Sequence, residues 1–229
     1  LLYYKNTTEL SDWESGGLDY VSIWPNDGTG YRMVDGIALL VGAKVYIEDD
    51  LNPEAVDTVV IDDKDFLDNS SVPLHEVYFL QTSYREEMDH NFENTIKYGL
   101  YPVFGYFNPS QDYPAMSDDP DTWPSGGWPS VGIETHWDGY WDGRFGKGVS
   151  YADLETYFVV NDAMDQEYIE RNDFRYFPRP GEKIQTNASF LGGGDWGGLG
   201  LRIEVRGFQW NNPLVRDALF WEYNITNIS

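Results

Sequence analysis

The stretch LGLRIEVRGFQW, residues 199–210, alternates apolar with charged side chains. Successive side chains of a β-strand point to opposite faces of its sheet, so this period of two predicts a half-buried antiparallel strand. The apolar face is Leu201, Ile203 and Val205, and the charged face is Arg202, Glu204 and Arg206. The segment therefore predicts a sheet that is covered on one side and meets water on the other.

Strand patterns of this kind recur along the chain. Residues 217–228, DALFWEYNITNI, alternate in the same way, and we expect this segment to pair with 199–210. One helix is predicted over 83–98, with Ser83 as its start signal and Gly99 as its stop signal. Further strands are predicted over 31–47, 55–61, 74–82 and 151–162.

These patterns predict one β-rich domain over 1–229. The expected fold class is all-β, an antiparallel, jelly-roll-like β-sandwich with little helix. Two long loop regions, 99–148 and 178–198, are rich in Trp, Pro and Gly, and loops of this length inside a domain are usually functional. The chain begins without Met and stops inside a strand pattern, so we expect it to be a piece of a longer polypeptide.

Composition and charge narrow the function classes. The formal net charge is −24 at pH 7, from 39 acidic and 15 basic residues, which disfavours binding to nucleic acids or anionic membranes. The absence of Cys excludes disulfides and Cys-ligated metals. No apolar run approaches the roughly 18 residues of a transmembrane helix, so no membrane insertion is predicted. Aromatic residues make up 17% of the chain, which predicts a packed protein rather than a disordered one.

Acidic residues gather in several short segments, and Ca²⁺ prefers carboxylate and carbonyl oxygens as ligands. A bound Ca²⁺ would relieve the self-repulsion of so acidic a chain. No segment matches a complete EF-hand loop, and a solvated acidic loop is the alternative for each cluster. The candidate Ca²⁺ ligands are Asp62, Asp63, Asp65, Asp118, Asp119, Asp121, Asp138 and Asp142.

Large aromatic residues crowd the first loop region. Their flat apolar faces and polar edges suit pyranose rings, so an exposed set would bind carbohydrate. The alternative is a compact loop held down by its own buried rings, because burial removes a large apolar area from water. The candidate ligand-binding residues are Trp123, Trp128, Trp137, Tyr140 and Trp141.

The segment HWDGYWDGRFGKG, residues 136–148, contains two Asp-Gly turn signals. They lie four residues apart, which is too close for the centres of two full hairpins. We therefore expect one compact, doubly turned loop that leads into the next strand, with Trp137 and Trp141 holding it down. A structural loop is the first interpretation, a Ca²⁺-assisted loop the second and a sugar platform the third.

An enzyme is the less favoured interpretation. A glycosidase needs two carboxyl groups about 5 Å or about 6.5–9.5 Å apart. With 39 acidic residues, some pair meets this spacing by chance. The candidate acids are Glu134, Asp138, Asp142, Asp153, Glu155 and Glu204, and no catalytic residue is assigned among them. Glycosylation sequons in loop-like sequence begin at Asn6, Asn69 and Asn187.

Two segments carry a family resemblance. DGIALLVGAKVYIEDD, residues 35–50, and the C-terminal segment 198–229 resemble conserved strands near the start of large secreted proteins of Bacteroidota and Ignavibacteria. In the second segment, Gly200, Glu204 and Trp210 are in step with the family pattern, whereas Leu40 in the first replaces its usual Trp. The resemblance implies export, often by the type IX system, and a location outside the cell or at its surface. It implies no catalytic residues.

The sequence therefore predicts a non-enzymatic extracellular or cell-surface protein with a structural or adhesive role. It is expected to be stabilised by Ca²⁺ and to join a larger surface assembly. The expected partners are other surface proteins, copies of the chain itself, or polysaccharide. The alternative function is a carbohydrate-binding module or part of a secreted glycoside hydrolase.

Overall fold

A computed structural model describes the chain in several ranges. The described residues are 2, 4, 6, 8–11, 22–25, 27–34, 36–48, 59–60, 71–72, 77–82, 100–130, 133–137, 139–163, 175–177 and 198–228. Within these ranges the side chains are also described, except at 43–48, 59–60, 71–72, 77–82, 130, 133–137 and 175–177.

Within these ranges the protein is all-β, as the sequence predicts. The regular elements are strands, and the sole helical element described is a short 3₁₀ turn, η1, at Pro120–Thr122. The jelly-roll-like arrangement stays a prediction. The strands are β1 (Ser22–Trp24), β2 (Tyr31–Val34), β3 (Leu40–Glu48), β4 (Val59–Val60), β5 (Ser71–Val72), β6 (Val77–Thr82), β7 (Tyr101–Pro102), β8 (Ala115–Met116), β9 (Trp128–Ser130), β10 (Ile133–Trp137), β11 (Asp142–Gly143), β12 (Gly146–Lys147), β13 (Leu154–Asn161), β14 (Arg175–Phe177), β15 (Leu201–Gln209) and β16 (Phe220–Asn227).

The chain forms two compact units. Unit 1 comprises Leu1–Tyr101, Asp162–Leu201 and Asn227–Ser229, and unit 2 comprises Pro102–Asn161 and Arg202–Thr226. Both units are assembled from separate segments of the chain. The expectation of a single domain over 1–229 stays a prediction.

Unit 1 contains small antiparallel sheets. β1 pairs with β2, β4 pairs with β5, and β3 lies between β6 and β14. The buried carboxylate of Asp162 accepts hydrogen bonds from the backbone N–H groups of Leu199 (2.6 Å) and Leu201 (2.8 Å). Gly198 packs so closely on Asp162 that a Cβ atom there would clash with the carboxylate. Asp162 thereby satisfies two buried donors at the start of β15.

The largest sheet provides the framework of unit 2. Its strand order is β16-β15-β13-β7, with β8 also paired to β13. β13 and β15 are antiparallel from Leu154↔Gln209 to Asn161↔Arg202. The sheet confirms the predicted pairing of the C-terminal segment with 199–210, because β16 lies next to β15.

The two faces of β15 follow the predicted alternation, with one exception. Leu201, Ile203 and Val205 are buried, and the opposite side chains of Arg202 and Glu204 are partly exposed. Arg206 is buried although it belongs to the charged face, so the prediction that this face meets water along its whole length is wrong there.

The predicted loop region 99–148 contains six short strands, β7 to β12, and η1. Two antiparallel pairs of strands lie in this region, β9 with β10 and β11 with β12. The helix predicted over 83–98 and most of the loop predicted over 178–198 lie outside the described residues. No helix in the described part of the chain has the length and apolar character required to cross a bilayer.

Candidate functional site

A cluster of buried aromatic rings lies in unit 2, and we call Tyr106, Trp128, Trp141 and Tyr157 the tryptophan core. Trp128 contacts Trp141 edge to face with ring centroids 5.5 Å apart, and it contacts Tyr157 at 5.7 Å. Tyr106 meets Tyr157 edge to face at 6.0 Å. Burial raises the pKa of the Tyr157 hydroxyl well above its usual range. The core joins the loop region to the face of β13.

The carboxylate of Glu155 lies beside this core with no exposed surface. Its Oε1 accepts from the backbone N–H of Arg144 (3.0 Å) and from Nη1 of Arg206 (2.7 Å). Its Oε2 accepts from Nε1 of Trp141 (3.1 Å) and from the backbone N–H of Tyr151 (3.2 Å). A carboxylate has about four acceptor positions, so protein donors occupy all of them.

Arg206 is the buried cation that balances Glu155. Its guanidinium lies over the ring of Tyr157, 3.7 Å from the centroid, and its Nη1 also donates to the backbone oxygen of Asp142 (2.7 Å). A buried ion pair is tolerated when further hydrogen bonds support its partners. Here three other donors bond to Glu155, and Arg206 also bonds to Asp142. This arrangement explains why an arginine on the predicted solvent face is buried.

The β11–β12 hairpin occupies the segment that contains the second Asp-Gly signal. Asp142 pairs with Lys147, and Gly143 pairs with Gly146, so Arg144 and Phe145 form a two-residue tip. A Cβ atom at Gly143 would clash with the carbonyl oxygen of Val149. The second Asp-Gly pair is thus part of a strand and not the turn that the sequence predicts there. Trp141 is 4% exposed and bonds to Glu155, which agrees with its expected role in holding this segment down. The part of the prediction that concerns Trp137 and the first Asp-Gly pair stays a prediction.

A second group of rings lines an open depression at the end of β15. Its volume is about 480 Å³. Tyr151 is 51% exposed and Phe220 is 45% exposed, whereas Phe208 is buried beneath them. We call this depression the aromatic groove, and it is lined by Tyr151, Phe208, Trp210, Asn212, Val215, Phe220, Trp221 and Glu222.

The rings of the aromatic groove support one another. Phe208 and Trp210 are stacked with an interplanar angle of 20°. Tyr151 meets Trp210 edge to face at 5.5 Å, and Phe220 meets Trp210 at 5.4 Å. The exposed ring of Phe145 from the hairpin tip packs on Tyr151 at 4.8 Å. The rings that line the groove therefore come from three separate segments of the chain, and Phe145 supports them from a fourth.

An ion pair lies at the polar side of this groove. Nε of Arg144 donates to Oε2 of Glu222 at 2.7 Å, and the two side chains are 44% and 37% exposed. The hydrogen bond to Glu222 raises the pKa of Arg144 above its usual value. Both groups keep surface open to solvent, so they can also bond to a ligand hydroxyl.

A further depression of about 410 Å³ lies beside η1. Trp123 is half-buried there, and its Nε1 donates to the backbone oxygen of Met116 (2.7 Å). The side chain of Asp119 accepts from the backbone N–H of Asp121 and caps η1. We call this depression the Trp123 pocket, and it is lined by Asn108, Pro120, Asp121, Trp123, Pro124, Ser125, Gly127, Trp128 and Gly139.

The candidate ligand-binding residues therefore lie in different environments. Trp128 and Trp141 belong to the tryptophan core, with their faces against protein, and Trp123 borders a pocket. Tyr140 is exposed beneath the ammonium group of Lys147, which is 4.8 Å from its ring centroid. The side chain of Trp137 lies outside the description. Ligand binding by this set stays a prediction. The burial of Trp128 and Trp141 disfavours a continuous platform formed by all five residues.

The candidate Ca²⁺ ligands are only partly described. Asp118 and Asp121 are exposed, and Asp119 is engaged as the cap of η1. Asp142 is half-buried, and desolvation raises its carboxyl pKa although the charge of Arg206 opposes the shift. The described residues contain no group of three or more potential ligands that could hold a metal ion. The residues outside the description are Asp62, Asp63, Asp65 and Asp138, so Ca²⁺ binding stays a prediction.

Two further carboxylates of the hydrolase interpretation, Asp153 and Glu204, have structural partners. Asp153 accepts from the backbone N–H of Asn211 (2.7 Å). Glu204 bonds to Arg202 (2.5 Å) and to the amide of Asn224 (3.3 Å). The side chain of Glu134 is not among those described.

Of the three sequons, Asn6 lies in an exposed turn. Asn69 and Asn187 fall outside the described residues. Glycosylation at all three stays a prediction.

Sequence reasoning missed the aromatic groove. Phe208 and Trp210 end a strand that the sequence identifies well, and an aromatic pair at a strand end is a detectable signal. Tyr151 lies 57 positions before Phe208, and Phe220 lies on a separate strand, β16, so no local spacing connects these rings.

Comparison of the chain with protein-family models, curated proteins and solved structures gave no significant match. The resemblance to secreted proteins of Bacteroidota and Ignavibacteria therefore stays a prediction.

Proposed function

We propose that this chain is a non-enzymatic, adhesive part of an extracellular or cell-surface protein and that its aromatic groove binds carbohydrate. The observation that carries the proposal is the set of partly exposed rings, Tyr151, Trp210 and Phe220, around one open depression. Binding sites for small ligands combine apolar and aromatic walls with a few polar groups that fix orientation. The groove has this composition.

The groove suits sugar rings for two reasons. Aromatic faces cover the C–H surfaces of a pyranose, and burial of that apolar area is favourable. Glu222, which pairs with Arg144, and Asn212 line the same space and offer polar groups to hydroxyl groups. The rings are fixed by mutual packing, so binding orders few side chains.

The charge of the protein indicates which polymers bind. A net charge of −24 repels polyuronates and sulfated glycans over a distance of about 10 Å at 0.1 M salt. The one acidic side chain that lines the groove, among the described residues, is Glu222, and Arg144 compensates it. A neutral polysaccharide is the ligand class that this balance favours.

The hydrogen bonding of Glu155 supports a non-enzymatic role. A general acid or nucleophile needs an oxygen that can reach the substrate, and both oxygens of Glu155 are engaged by two donors each. Its ion pair with Arg206 is buried.

The test is a comparison of binding to insoluble neutral and acidic polysaccharides. Wild-type protein is expected to sediment with cellulose, xylan or mannan but not with polygalacturonate. Trp210→Ala is expected to weaken binding at least tenfold, which equals about 1.4 kcal/mol. Tyr113→Ala, at a ring that is 63% exposed and does not line the groove, is the matched control and is expected to bind like wild type. Equal binding by Trp210→Ala and wild type, or no binding to any neutral polymer, would contradict the proposal.

The proposal includes stabilisation by Ca²⁺, which the charge of the chain supports. A site filled to a hundred times its dissociation constant stabilises a folded protein by about 2.7 kcal/mol. We expect millimolar Ca²⁺ to raise the melting temperature and EDTA to reverse the change, whereas equal ionic strength from NaCl does not. An identical melting temperature in Ca²⁺ and EDTA would remove this part of the proposal.

A further inference from the structure

The tip of the β11–β12 hairpin exposes an aromatic ring beside the aromatic groove. Phe145 is 64% exposed, and its ring centroid lies 4.8 Å from that of Tyr151. Tyr151 lines the groove and is itself about half exposed. Because the two rings are in contact and both are open to solvent, the apolar surface of the groove continues onto the hairpin tip. Exposed apolar surface that adjoins a depression is a common feature of ligand-binding sites.

The rings of this surface are linked in a series. Tyr151 contacts Phe145 and also Trp210, whose ring centroid lies 5.5 Å away. Phe220 in turn contacts Trp210 at 5.4 Å. A pyranose ring is similar in size to a phenyl ring, so a single sugar cannot cover the whole series. A ligand with several linked sugar rings buries more of this apolar area, and the burial of apolar area increases affinity.

A polar contact also joins the tip to the groove. Nε of Arg144 donates to Oε2 of Glu222, which lines the groove, at 2.7 Å. The guanidinium carbon of Arg144 lies 5.6 Å from the ring centroid of Phe145. In the described part of the chain, Nε is the one guanidinium atom of Arg144 that forms a hydrogen bond, so the N–H groups on Nη1 and Nη2 remain for a ligand. The tip therefore offers an apolar ring and hydrogen-bond donors close together.

The backbone of the tip is fixed before any ligand binds. The backbone N–H of Arg144 donates to the buried carboxylate of Glu155 (3.0 Å). After the tip, the backbone N–H of Val149 donates to the carbonyl oxygen of Gly146 (3.1 Å). Phe145 lies between these two attachments. A preorganised surface of this kind loses less entropy when it binds a ligand.

We propose that the hairpin tip is a further subsite of the aromatic groove, in which Phe145 covers the face of one sugar residue and Arg144 donates to its hydroxyl groups. Neighbouring sugars of the same chain occupy the groove. This subsite rests on the proposed binding of neutral carbohydrate by the groove, and it makes the preferred ligand an oligosaccharide rather than a single sugar. The flat apolar face of Phe145 suits a pyranose, and the net charge of −24 disfavours an anionic chain.

The experiment is a calorimetric titration of the whole chain with the disaccharides and hexasaccharides of cellulose, xylan and mannan. For at least one polymer, the hexasaccharide is expected to bind about tenfold more tightly than the disaccharide. Phe145→Ala is expected to weaken binding of that hexasaccharide about fivefold and to leave binding of the disaccharide unchanged. Because Phe145 is largely exposed, the melting temperature of this variant is expected to stay near that of wild type.

Two further variants serve as controls. Phe145→Tyr keeps a flat ring at the tip and is expected to retain the wild-type affinity for the hexasaccharide. Phe104→Ala removes the same residue type at the same exposure, because Phe104 is 65% exposed and meets the ring of Phe107 at 5.5 Å. Phe104 does not line the groove, so its replacement is expected to leave both affinities unchanged.

The length dependence separates this inference from the proposed function. Wild-type affinity of Phe145→Ala for the hexasaccharide would overturn the subsite. An equal loss for disaccharide and hexasaccharide would also overturn it, because the ring would then act only by supporting Tyr151. Disaccharide binding that Trp210→Ala weakens, without any gain from a longer chain, would leave the proposed function in place and remove the subsite alone. No binding of any oligosaccharide or neutral polymer would overturn both.

Discussion

The tryptophan core and the aromatic groove are two aromatic clusters in the same unit, but they differ in what covers them. In the core, loop segments lie across the rings, and Trp141 and Trp128 are 4% and 1% exposed. In the groove, Tyr151 and Phe220 remain about half exposed. Residue type alone therefore does not decide whether an aromatic cluster stabilises the fold or forms a surface.

The difference has a local cause. The core contains a buried carboxylate that binds the loop at the backbone N–H groups of Arg144 and Tyr151, and this holds the hairpin over the rings. The groove has an ion pair at its edge, Arg144–Glu222, which is open to water. The buried carboxylate of Glu155 fixes the loop beside the core, whereas the exposed Arg144–Glu222 pair leaves the groove open to solvent.

The sharpest test of this comparison replaces the same residue type in each cluster. Trp141→Ala is expected to lower the free energy of unfolding by about 3–5 kcal/mol, because a large ring leaves a packed core. Trp210→Ala is expected to lower it by about 1 kcal/mol, because its ring is partly solvated. Urea denaturation followed by circular dichroism measures both values. Similar losses would mean that the two clusters do not differ in structural role.

Glu155→Gln tests the anchor itself and is expected to cost about 3 kcal/mol. The amide keeps the shape of the side chain but leaves the buried charge of Arg206 without a counter-charge. It also turns one acceptor into a donor that faces existing donors. Glu204→Gln, at a partly exposed partner of Arg202, is the control and is expected to change the free energy of unfolding by less than about 1 kcal/mol. A stable Glu155→Gln protein with an ordered hairpin would show that the anchor is dispensable.

Gly207→Ala probes the opposite face of β15 and is expected to cost about 1–3 kcal/mol through overpacking. A Cβ atom at this position would lie 2.7 Å from Oγ1 of Thr156 and 3.1 Å from the ring of Trp221. Gly126→Ala is the matched control, because a Cβ atom there meets nothing within 4 Å. Thermal melts of the two variants should therefore separate. Equal melting temperatures would indicate that Trp221 moves aside without loss.

Asp142→Asn is expected to have the smallest effect, a gain of less than about 1 kcal/mol at pH 7. Desolvation raises the carboxyl pKa of Asp142 above its usual value in the folded protein. The folded state then binds this proton more tightly than the unfolded state, so the free energy of unfolding falls as pH rises from the unfolded pKa to the folded one.

The pH dependence provides the measurement for Asp142. The stability difference between Asp142→Asn and wild type is expected to be near zero below about pH 3 and to grow to a constant value above the folded pKa. Asp118→Asn, at an exposed carboxyl, is the comparison variant. An Asp142→Asn protein that is less stable than wild type at pH 7 would mean that attraction to Arg206 outweighs desolvation.

Much of the sheet can be predicted from the sequence. β15 and β16 follow their period-two patterns, and β13 lies within the predicted segment 151–162, because side-chain alternation is a direct consequence of strand geometry. The burial of Arg206 was not predictable in this way. It depends on Glu155 and Tyr157, which lie 51 and 49 positions earlier in the chain and meet it only through the β13–β15 register.

Prediction from the sequence is limited in the same way, and more strongly, for the aromatic clusters. The density of Trp, Pro and Gly in 99–148 identifies a region of unusual chemistry, but it does not tell which rings are covered. Trp128 and Trp141 are buried because they pack against each other and against Tyr157 and Val159 of β13. The groove rings come from separate segments, so their proximity is a tertiary property that no local pattern contains.

The way in which Glu155 holds the hairpin has a consequence for sequence variation. Two of its four donors are main-chain N–H groups, at Arg144 and Tyr151, and every residue except Pro supplies such a donor. The side chains at the tip can therefore be exchanged while the attachment of the loop is retained. Arg144, Phe145 and Lys147 are exposed positions of this kind. Substitutions at these tip positions, in related proteins or in a designed library, can therefore change the binding surface while the fold is retained.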